Sequence, residues 1–238
     1  NIKKGDEVLT TSHTAYATIA AIIESGATPV FVDIKESDFT IDVNDLKKKI
    51  TKRTKAIIAV HVYGNPADIT KLFTIAKEKK IILIEDCAQA HGAEFKRKKI
   101  GSFGDFACFS FYPTKNLSTF GDAGVVSTNN RKMYKKLKLY REYGWKKKNV
   151  AISKGYNKRL DEIHAGILNV KLDSLNKFNL KRISIAKKYL KLINSKKIVL
   201  PNTNPLKKHV FHLFVIRVKN NLRSKFLTYL KQNGISPG

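Results

Sequence analysis

The chain has 238 residues, of which 42% are hydrophobic and 27% are charged, so it is long and apolar enough to bury a full core. It contains no apolar run of about 18 residues, and we therefore expect no membrane span and no membrane partner. The net charge of +27 comes from 38 lysines against 8 arginines spread along the chain. Because nucleic-acid readers favour arginine, this distribution argues against a specific nucleic-acid partner.

Short apolar runs alternate with helical patterns in the first part of the chain. The predicted strands cover residues 7–10, 29–33, 56–62 and 81–85, and the predicted helices cover residues 15–25, 42–50 and 66–79. Strands of this length separated by helices indicate repeated βαβ units. We therefore predict an α/β fold with three αβα layers around a mostly parallel sheet.

The second part of the chain begins with two further strands and is then mostly helical. The pattern predicts strands over 106–111 and 124–128, a helix over 130–140, an exposed loop near 144–148, and a long helix or kinked pair over 162–193. On that helix we expect one apolar side made of Ile163, Ile167, Val170, Leu175 and Phe178. A strand over 210–218 and a helix over 224–233 predict a smaller α+β unit. We place the large domain at 1–180 and the small one at 181–238.

Two residues at strand ends indicate a cofactor chemistry. Asp86 follows the apolar run 81–84, and Lys115 follows the apolar run 106–111. In an open α/β sheet, groups at the carboxyl ends of strands point into the ligand crevice. A lysine there can form a Schiff base with the aldehyde of a pyridine cofactor, and a carboxylate can hold the ring nitrogen protonated.

The same residue types also have ordinary structural uses. A lysine is usually a solvated surface charge, and an aspartate after a strand is commonly a cap or turn residue. For His91 we expect a histidine whose hydrogen bonds are satisfied by the fold. The histidines and the two cysteines, Cys87 and Cys108, lack the short paired spacing of a metal site, so we predict no metal. Buried thiols suit a reducing compartment, which favours a cytoplasmic protein.

Four consecutive motifs decide between these readings. They are EDCAQAHGA at 85–93, GSFGD at 101–105, SFYPTKNL at 110–117 and GDAGVVSTN at 121–129. Together with GDEVLTTSHTAYAT, TKAIIAVHVYGNPADI and GYNKRLDEIHAGIL, they closely resemble the DegT/DnrJ/EryC1/StrS family of sugar aminotransferases that use pyridoxal 5'-phosphate. The resemblance implies the aspartate-aminotransferase-like fold, known as fold type I, for the large domain.

The resemblance also implies roles for individual residues. Asp86 corresponds to the partner of the pyridine nitrogen, Gln89 to a contact of the 3-hydroxyl, and Ser110 to a phosphate contact. Lys115 corresponds to the catalytic Schiff-base lysine. Asn157, and less surely Arg159, correspond to residues that reach the neighbouring subunit's cofactor phosphate. The family pattern therefore implies a homodimer with its active site at the interface.

The sequence departs from the family pattern at both ends and at one internal position. Relatives have a Gly-Thr/Ser turn well before GDEV that opens a phosphate-binding helix, and a histidine-bearing segment after the position of Ile235. We therefore expect this sequence to be a fragment of a longer protein. Ala15 stands where many relatives carry an aromatic residue that stacks on the cofactor, so the stacking residue stays undetermined.

The predicted reaction is amino transfer from an amino acid, with L-glutamate as the expected donor, to a nucleotide-linked keto-deoxysugar. The amino-acid sequences of the motifs most resemble those of relatives that act on 3-keto-6-deoxy dTDP-sugars. Enzymes that act on 4-keto sugars are the alternative. A sugar dehydratase of the same family would carry histidine in place of Lys115. A non-catalytic regulatory or polyanion-binding protein is the alternative from another class.

Overall fold

Thirteen strands and six α-helices follow one another along residues 2–219 and 221–237, which are the residues described by this computed structural model. The strands are β1 (Glu7–Thr11), β2 (Thr28–Val32), β3 (Thr54–Val60), β4 (Ile82–Asp86), β5 (Glu94–Phe95), β6 (Lys98–Lys99), β7 (Phe106–Ser110), β8 (Gly124–Ser127), β9 (Trp145–Lys147), β10 (Val150–Ala151), β11 (Ile198–Val199), β12 (Lys207–Lys208) and β13 (Arg217–Val218). The helices are α1 (Tyr16–Glu24), α2 (Val43–Lys49), α3 (Ile69–Lys79), α4 (Arg131–Arg141), α5 (Glu162–Leu192) and α6 (Arg223–Gln232).

The central sheet has six strands in the order β2-β1-β3-β4-β7-β8. The first five run parallel, and β8 pairs antiparallel with β7. The chain moves outward from β1 to β2 and then crosses to the other side of β1 to form β3. This reversal places a ligand crevice at the carboxyl ends of β1 and β3.

Alternate residues of the strands pack against helices on opposite faces of the sheet. Leu9 and Ile57 belong to a core that includes Leu46 of α2 and Leu72 of α3. Their neighbours Val8 and Ala56 pack with Ile22 of α1 on the other face. Since successive side chains of a strand point to opposite faces, the sheet is covered on both sides. The predicted three-layer, mostly parallel α/β fold is confirmed.

Helix α5 is a single helix of 31 residues that runs past residue 180, where we placed a domain boundary. The apolar side that we predicted for it is only partly buried in the described chain, where Leu175 packs against the cluster of Leu168. Ile163, Val170 and Phe178 are each at least half exposed, whereas Leu168 and Asn179 are buried. Leu168 packs with Phe111 and Leu117 of the segment that surrounds Lys115. The buried face of α5 is therefore turned toward that segment.

The predicted strand over 210–218 is wrong over residues 210–216, because only Arg217 and Val218 form a strand. The backbone N–H of Val210 instead donates to Gly64 O, at 3.0 Å, and Phe211 has a positive φ of 45°. A left-handed residue interrupts an extended strand, and this segment instead contacts the turn after β3, where the N–H of Leu213 donates to Tyr63 O at 3.4 Å. In the described part of the chain, no helix combines the length and hydrophobicity needed to cross a bilayer.

Candidate functional site

A cavity of about 280 Å³ lies at the carboxyl ends of the parallel strands. Its walls come from residues at or just beyond the ends of three strands: His13, Thr14 and Ala15 after β1, Val60 to Tyr63 at the end of β3, and Asp86, Ala88 and Gln89 at the end of β4. Lys115, from the loop after β7, completes the lining. The fold thus brings three of the predicted site residues, Asp86, Gln89 and Lys115, into one crevice.

The carboxylate of Asp86 is held in a fixed orientation. Thr18 Oγ1 donates to Asp86 Oδ2 at 2.9 Å, and the backbone N–H of Ala88 donates to Asp86 Oδ1 at 3.1 Å. Thr18 belongs to α1, and its hydroxyl also contacts that of Thr14, at 2.8 Å. Each oxygen therefore has one protein donor and keeps a further lone pair for a cationic or N–H group in the cavity.

The side chain of Gln89 is oriented by the backbone of Tyr63. The Tyr63 N–H donates to Gln89 Oε1, so the two N–H donors of the Gln89 amide are turned away from that bond. Tyr63 itself has a positive φ of 60°, an unusual conformation for a bulky residue. The next residue, Gly64, has a φ of 88°, and a Cβ there would lie 2.9 Å from Gln89 O. This turn therefore fixes both the backbone and the amide of Gln89.

Lys115 lies in a loop that returns on itself between β7 and β8. Its N–H donates to Tyr112 O at 2.9 Å, and the N–H of Thr119 donates to Phe111 O at 2.8 Å. Within the described residues, the amine of Lys115 makes no ion pair and no hydrogen bond. A primary amine that lines a cavity without a partner is able to react with a ligand carbonyl.

A second buried polar group lies behind the cavity. Glu85, fully buried, accepts hydrogen bonds from the N–H groups of Gly101 at 2.8 Å, Phe103 at 2.8 Å and Gly104 at 2.7 Å, and contacts His61 Nε2 at 3.2 Å. Burial opposes its ionisation, but these hydrogen bonds outweigh burial and lower the pKa of Glu85. The carboxylate thus ties the loop 101–104 to the ends of β3 and β4.

His61, Glu85 and Cys87 place one potential metal-ligand atom each within 4.8 Å of one another, although their sequence spacing does not suggest a site. The ligand atoms of His61 and Glu85 are already engaged. His61 Nδ1 accepts the N–H of Ala67 at 3.0 Å, and its Nε2 faces Glu85. Burial is the main cause that raises the pKa of the Cys87 thiol. The cluster therefore acts as a structural brace for the strand ends that carry Asp86.

His91 differs from our expectation of a histidine satisfied by the fold. It is 2% exposed, and neither ring nitrogen has a hydrogen-bond partner in the described part of the chain. Its ring lies 5.7 Å from those of both Phe109 and Phe111. Burial lowers the pKa of His91 to about 4, so the ring is neutral near pH 7.

The other two predicted site residues lie outside the cavity lining. Ser110 is the last residue of β7, and its Oγ accepts the N–H of Tyr112 at 3.3 Å. Asn157 is exposed and pairs with Glu142 through an isolated β-bridge. Arg159 lies beside it, 3.7 Å from Glu142. The structure of one chain therefore does not bring Asn157 to Lys115.

The cavity rim also includes His13, which the sequence places at a strand end near the same crevice, and Tyr63, which sequence reasoning missed. His13 Nε2 lies 2.7 Å from the hydroxyl of Tyr63, and both rings pack against Phe39 with centroids 5.6 and 6.0 Å apart. His13 lies two residues after the end of β1 and Tyr63 three residues after the end of β3, so both lie at the same edge of the sheet as Asp86.

A model of a known family matches almost the whole chain. It is described as the DegT/DnrJ/EryC1/StrS aminotransferase family and matches residues 1–237. The chain belongs to this family. The resemblance stated from the motifs is therefore confirmed.

The relatives agree with this family and are longer than the chain. One is a dTDP-3-amino-3,6-dideoxy-alpha-D-galactopyranose transaminase from Aneurinibacillus thermoaerophilus, which is 46% identical over 99% of this chain and 64% of its own length. The chain thus spans less than two thirds of the length of this DegT/DnrJ/EryC1/StrS relative.

Two solved structures share the fold. The first is Streptomyces venezuelae DesV in complex with a ketimine intermediate, which is 40% identical, has a TM-score of 0.95 and covers 99% of this chain and 63% of that one. The second is NtdA from Bacillus subtilis with bound cofactor PMP, which is 33% identical, has a TM-score of 0.89 and covers 98% of this chain and 54% of that one. The DegT/DnrJ/EryC1/StrS chain described here thus has the fold of known aminotransferases.

Proposed function

We propose that the complete protein is a pyridoxal-phosphate-dependent aminotransferase that acts on a nucleotide-linked keto sugar. The observation that carries the proposal is the cavity in which a carboxylate, an amide and an unpaired lysine meet at the ends of β4 and β7. Membership of an aminotransferase family and the PMP bound in the B. subtilis neighbour support the same conclusion.

The residues of the cavity fit the chemical groups of this cofactor. Asp86, held by Thr18 and Ala88, offers a fixed negative charge to a protonated pyridine nitrogen. Gln89 keeps its N–H donors free of Tyr63 and suits an acceptor such as the ring 3-hydroxyl. We assign Ser110 to the cofactor phosphate, as one contributor among others.

When bound, the cofactor supplies an aldehyde that takes up an amino group and a ring that stabilises negative charge on the adjacent carbon. Lys115 would hold the cofactor covalently through Nζ in the resting enzyme. When a substrate amine takes the place of Lys115, the freed Nζ would lie in the cavity, where it could hold or move a proton as a general acid or base. Asp86 orients the ring throughout. His91, neutral and apolar in its surroundings, adds no competing charge near Lys115.

For the substrates, we propose an amino-acid donor, L-glutamate, and a 3-keto-6-deoxy dTDP-hexose acceptor. The name of the A. thermoaerophilus relative, a dTDP-3-amino-sugar transaminase, supports the choice of acceptor. We further propose a cytoplasmic homodimer in which Asn157 serves the partner's site. Its exposure and its position outside the cavity of its own chain support that arrangement. A 4-keto sugar nucleotide is the alternative acceptor.

The test is an absorbance spectrum of the complete protein with added pyridoxal phosphate, recorded beside Lys115→Ala. We expect a visible band in the wild type that L-glutamate removes, and no such band in the variant. Lys177→Ala, which changes an exposed lysine, serves as the matched control and should keep the band. Absence of the band in the wild type would contradict the proposed function. Product analysis with 3-keto and 4-keto dTDP-sugars then distinguishes the two acceptors.

A further inference from the structure

Helix α5 contacts the segment that carries Lys115 through three polar side chains. In order along the helix, the contacts join His164 Nδ1 to Thr119 Oγ1 at 2.6 Å, Lys171 Nζ to Ser118 O at 2.8 Å, and Asn179 Oδ1 to Asn116 Nδ2 at 3.0 Å. The three helix residues are seven and eight positions apart and therefore lie on one face, two turns from each other. The same face holds Leu168, which packs against this segment.

Asn179 connects the two loops that line the cavity. It lies in the middle of α5 and is 1% exposed. Its Oδ1 accepts from Asn116, the residue after Lys115, and its Nδ2 donates to His91 O at 2.8 Å, two residues after Gln89. A buried amide is costly unless both of its ends are paired, and here each end is paired with a different loop.

The loop that follows Gln89 is shaped to receive this amide. Gly92 has a φ of 80°, and a Cβ at that position would lie 2.8 Å from Asn179 Nδ2. A side chain there would displace the amide from His91 O. The contact thus depends on a glycine with a left-handed backbone, which is consistent with a specified position for Asn179.

The network continues from Asn116 to the C-terminal part of the chain. Asn116 Oδ1 lies 3.1 Å from His212 Nδ1, and its Nδ2 also lies 3.3 Å from Val210 O. Burial, together with the charge of Lys115, lowers the pKa of His212 to about 4, so this ring is neutral near pH 7. The side chain next to Lys115 is therefore held on three sides by neutral hydrogen-bonding groups.

We propose that α5, through Asn179 and Lys171, is a positioning element that fixes Lys115 relative to Asp86 and Gln89. The inference rests on the proposed function, because it concerns the same lysine. Apolar contacts such as that of Leu168 are non-directional and do not set the position of a loop along a helix. The hydrogen bonds do so because each has a defined partner and length.

Four variants of the complete protein test this inference. Asn179→Ala removes the link between the two loops, and Asn169→Ala changes an exposed asparagine of the same helix as its control. Lys171→Met removes the contact with Ser118 while keeping the aliphatic stem, and Lys177→Met is its exposed control. Because Lys171 is only partly buried, we expect Lys171→Met to fold, so this variant tests the inference even if Asn179→Ala fails to fold.

The readout is the rate at which added pyridoxal phosphate is fixed on Lys115 by borohydride, measured by peptide mass mapping where each variant is folded. The other lysines provide an internal reference. A displacement of about 1 Å can lower the rate of an oriented reaction up to a hundredfold. We therefore expect at least a tenfold lower rate at Lys115 in Asn179→Ala than in Asn169→Ala, and a threefold lower rate in Lys171→Met than in Lys177→Met.

A purely structural role predicts a different result, namely lower melting temperatures with unchanged labelling rates in the folded protein. Rates within twofold of the controls for both variants would overturn the inference and leave the proposed function intact. A wild-type protein that takes up no pyridoxal phosphate at Lys115 would overturn both.

Discussion

Glu85 provides a quantitative test of how the strand ends beneath the cavity are held. Glu85→Gln keeps the shape of the side chain but converts one oxygen into a donor. Because His61 Nδ1 accepts the N–H of Ala67, the neutral imidazole carries its proton on Nε2 and also donates toward Glu85. In either orientation of the new amide, its NH2 group therefore faces two N–H donors and can accept from neither. Two lost hydrogen bonds to a charged acceptor, at roughly 1.5–3 kcal/mol each, predict a loss of about 4 kcal/mol.

The assay is urea unfolding of the complete protein at pH 7, followed by far-UV circular dichroism. Glu78→Gln, which changes an exposed glutamate on α3, is the control and should lie within about 0.5 kcal/mol of the wild type. A value for Glu85→Gln within about 1 kcal/mol of that control would refute the assignment of the carboxylate as the brace of the loop 101–104.

The contribution of Glu85 to the unfolding free energy should also depend on pH in a defined direction. The pKa of Glu85 is lower in the folded state than the ordinary value of 4.5. Its contribution to stability is therefore fully present above about pH 4.5 and is lost as the pH falls through the lowered folded pKa. The difference in unfolding free energy between wild type and Glu85→Gln should be constant from pH 7 to pH 5 and shrink at lower pH. A difference that already shrinks above pH 5 would contradict this.

Three further predictions concern the walls of the cavity. Thr18→Val removes the donor to Asp86 Oδ2, at a cost of about 1 kcal/mol, and should weaken pyridoxal phosphate binding about fivefold in an absorbance titration; an unchanged affinity would contradict the role of this contact. Gln89→Glu replaces the free N–H donors with an oxygen and should weaken the same binding about tenfold, with circular dichroism to verify the fold. Gly64→Ala places a methyl group 2.8 Å from Val210 Cγ2 at a φ of 88° and should lower unfolding free energy by roughly 2 kcal/mol, whereas Gly166→Ala meets no atom within 4 Å and should not.

The sequence was sufficient to predict the charged site residues that come after apolar strands. Asp86 and Lys115 come after continuous apolar runs, and in a parallel sheet such positions share one edge. What the sequence could not specify is which strands are neighbours. His13 and Tyr63 reach the same cavity only because β1 and β3 lie side by side with β4 next in order, and that order follows from long-range pairing.

The face of α5 shows a second limit of sequence reasoning. Ile163, Val170 and Phe178 are apolar but exposed in the described chain, while Asn179 is polar and buried. Helical periodicity assigns the buried face by hydrophobicity and so passes over a polar residue that has partners. The available signal was the spacing of Leu168, Leu175 and Asn179, which puts an asparagine on an apolar stripe. A buried asparagine is tolerated at such a position only if its amide has hydrogen-bond partners.

The contacts of Asn116 also set an order of events during synthesis. Its partners Asn179 and Val210 lie 63 and 94 residues further along the chain. The pairing of β1 to β4, by contrast, is complete by residue 86. Because distant partners must emerge before they can pair, we expect a nascent chain to form its sheet well before it can retain a cofactor. Ribosome-bound chains halted before and after residue 210 would then differ in pyridoxal phosphate capture, because the newly made protein could retain its cofactor only after Val210 has emerged.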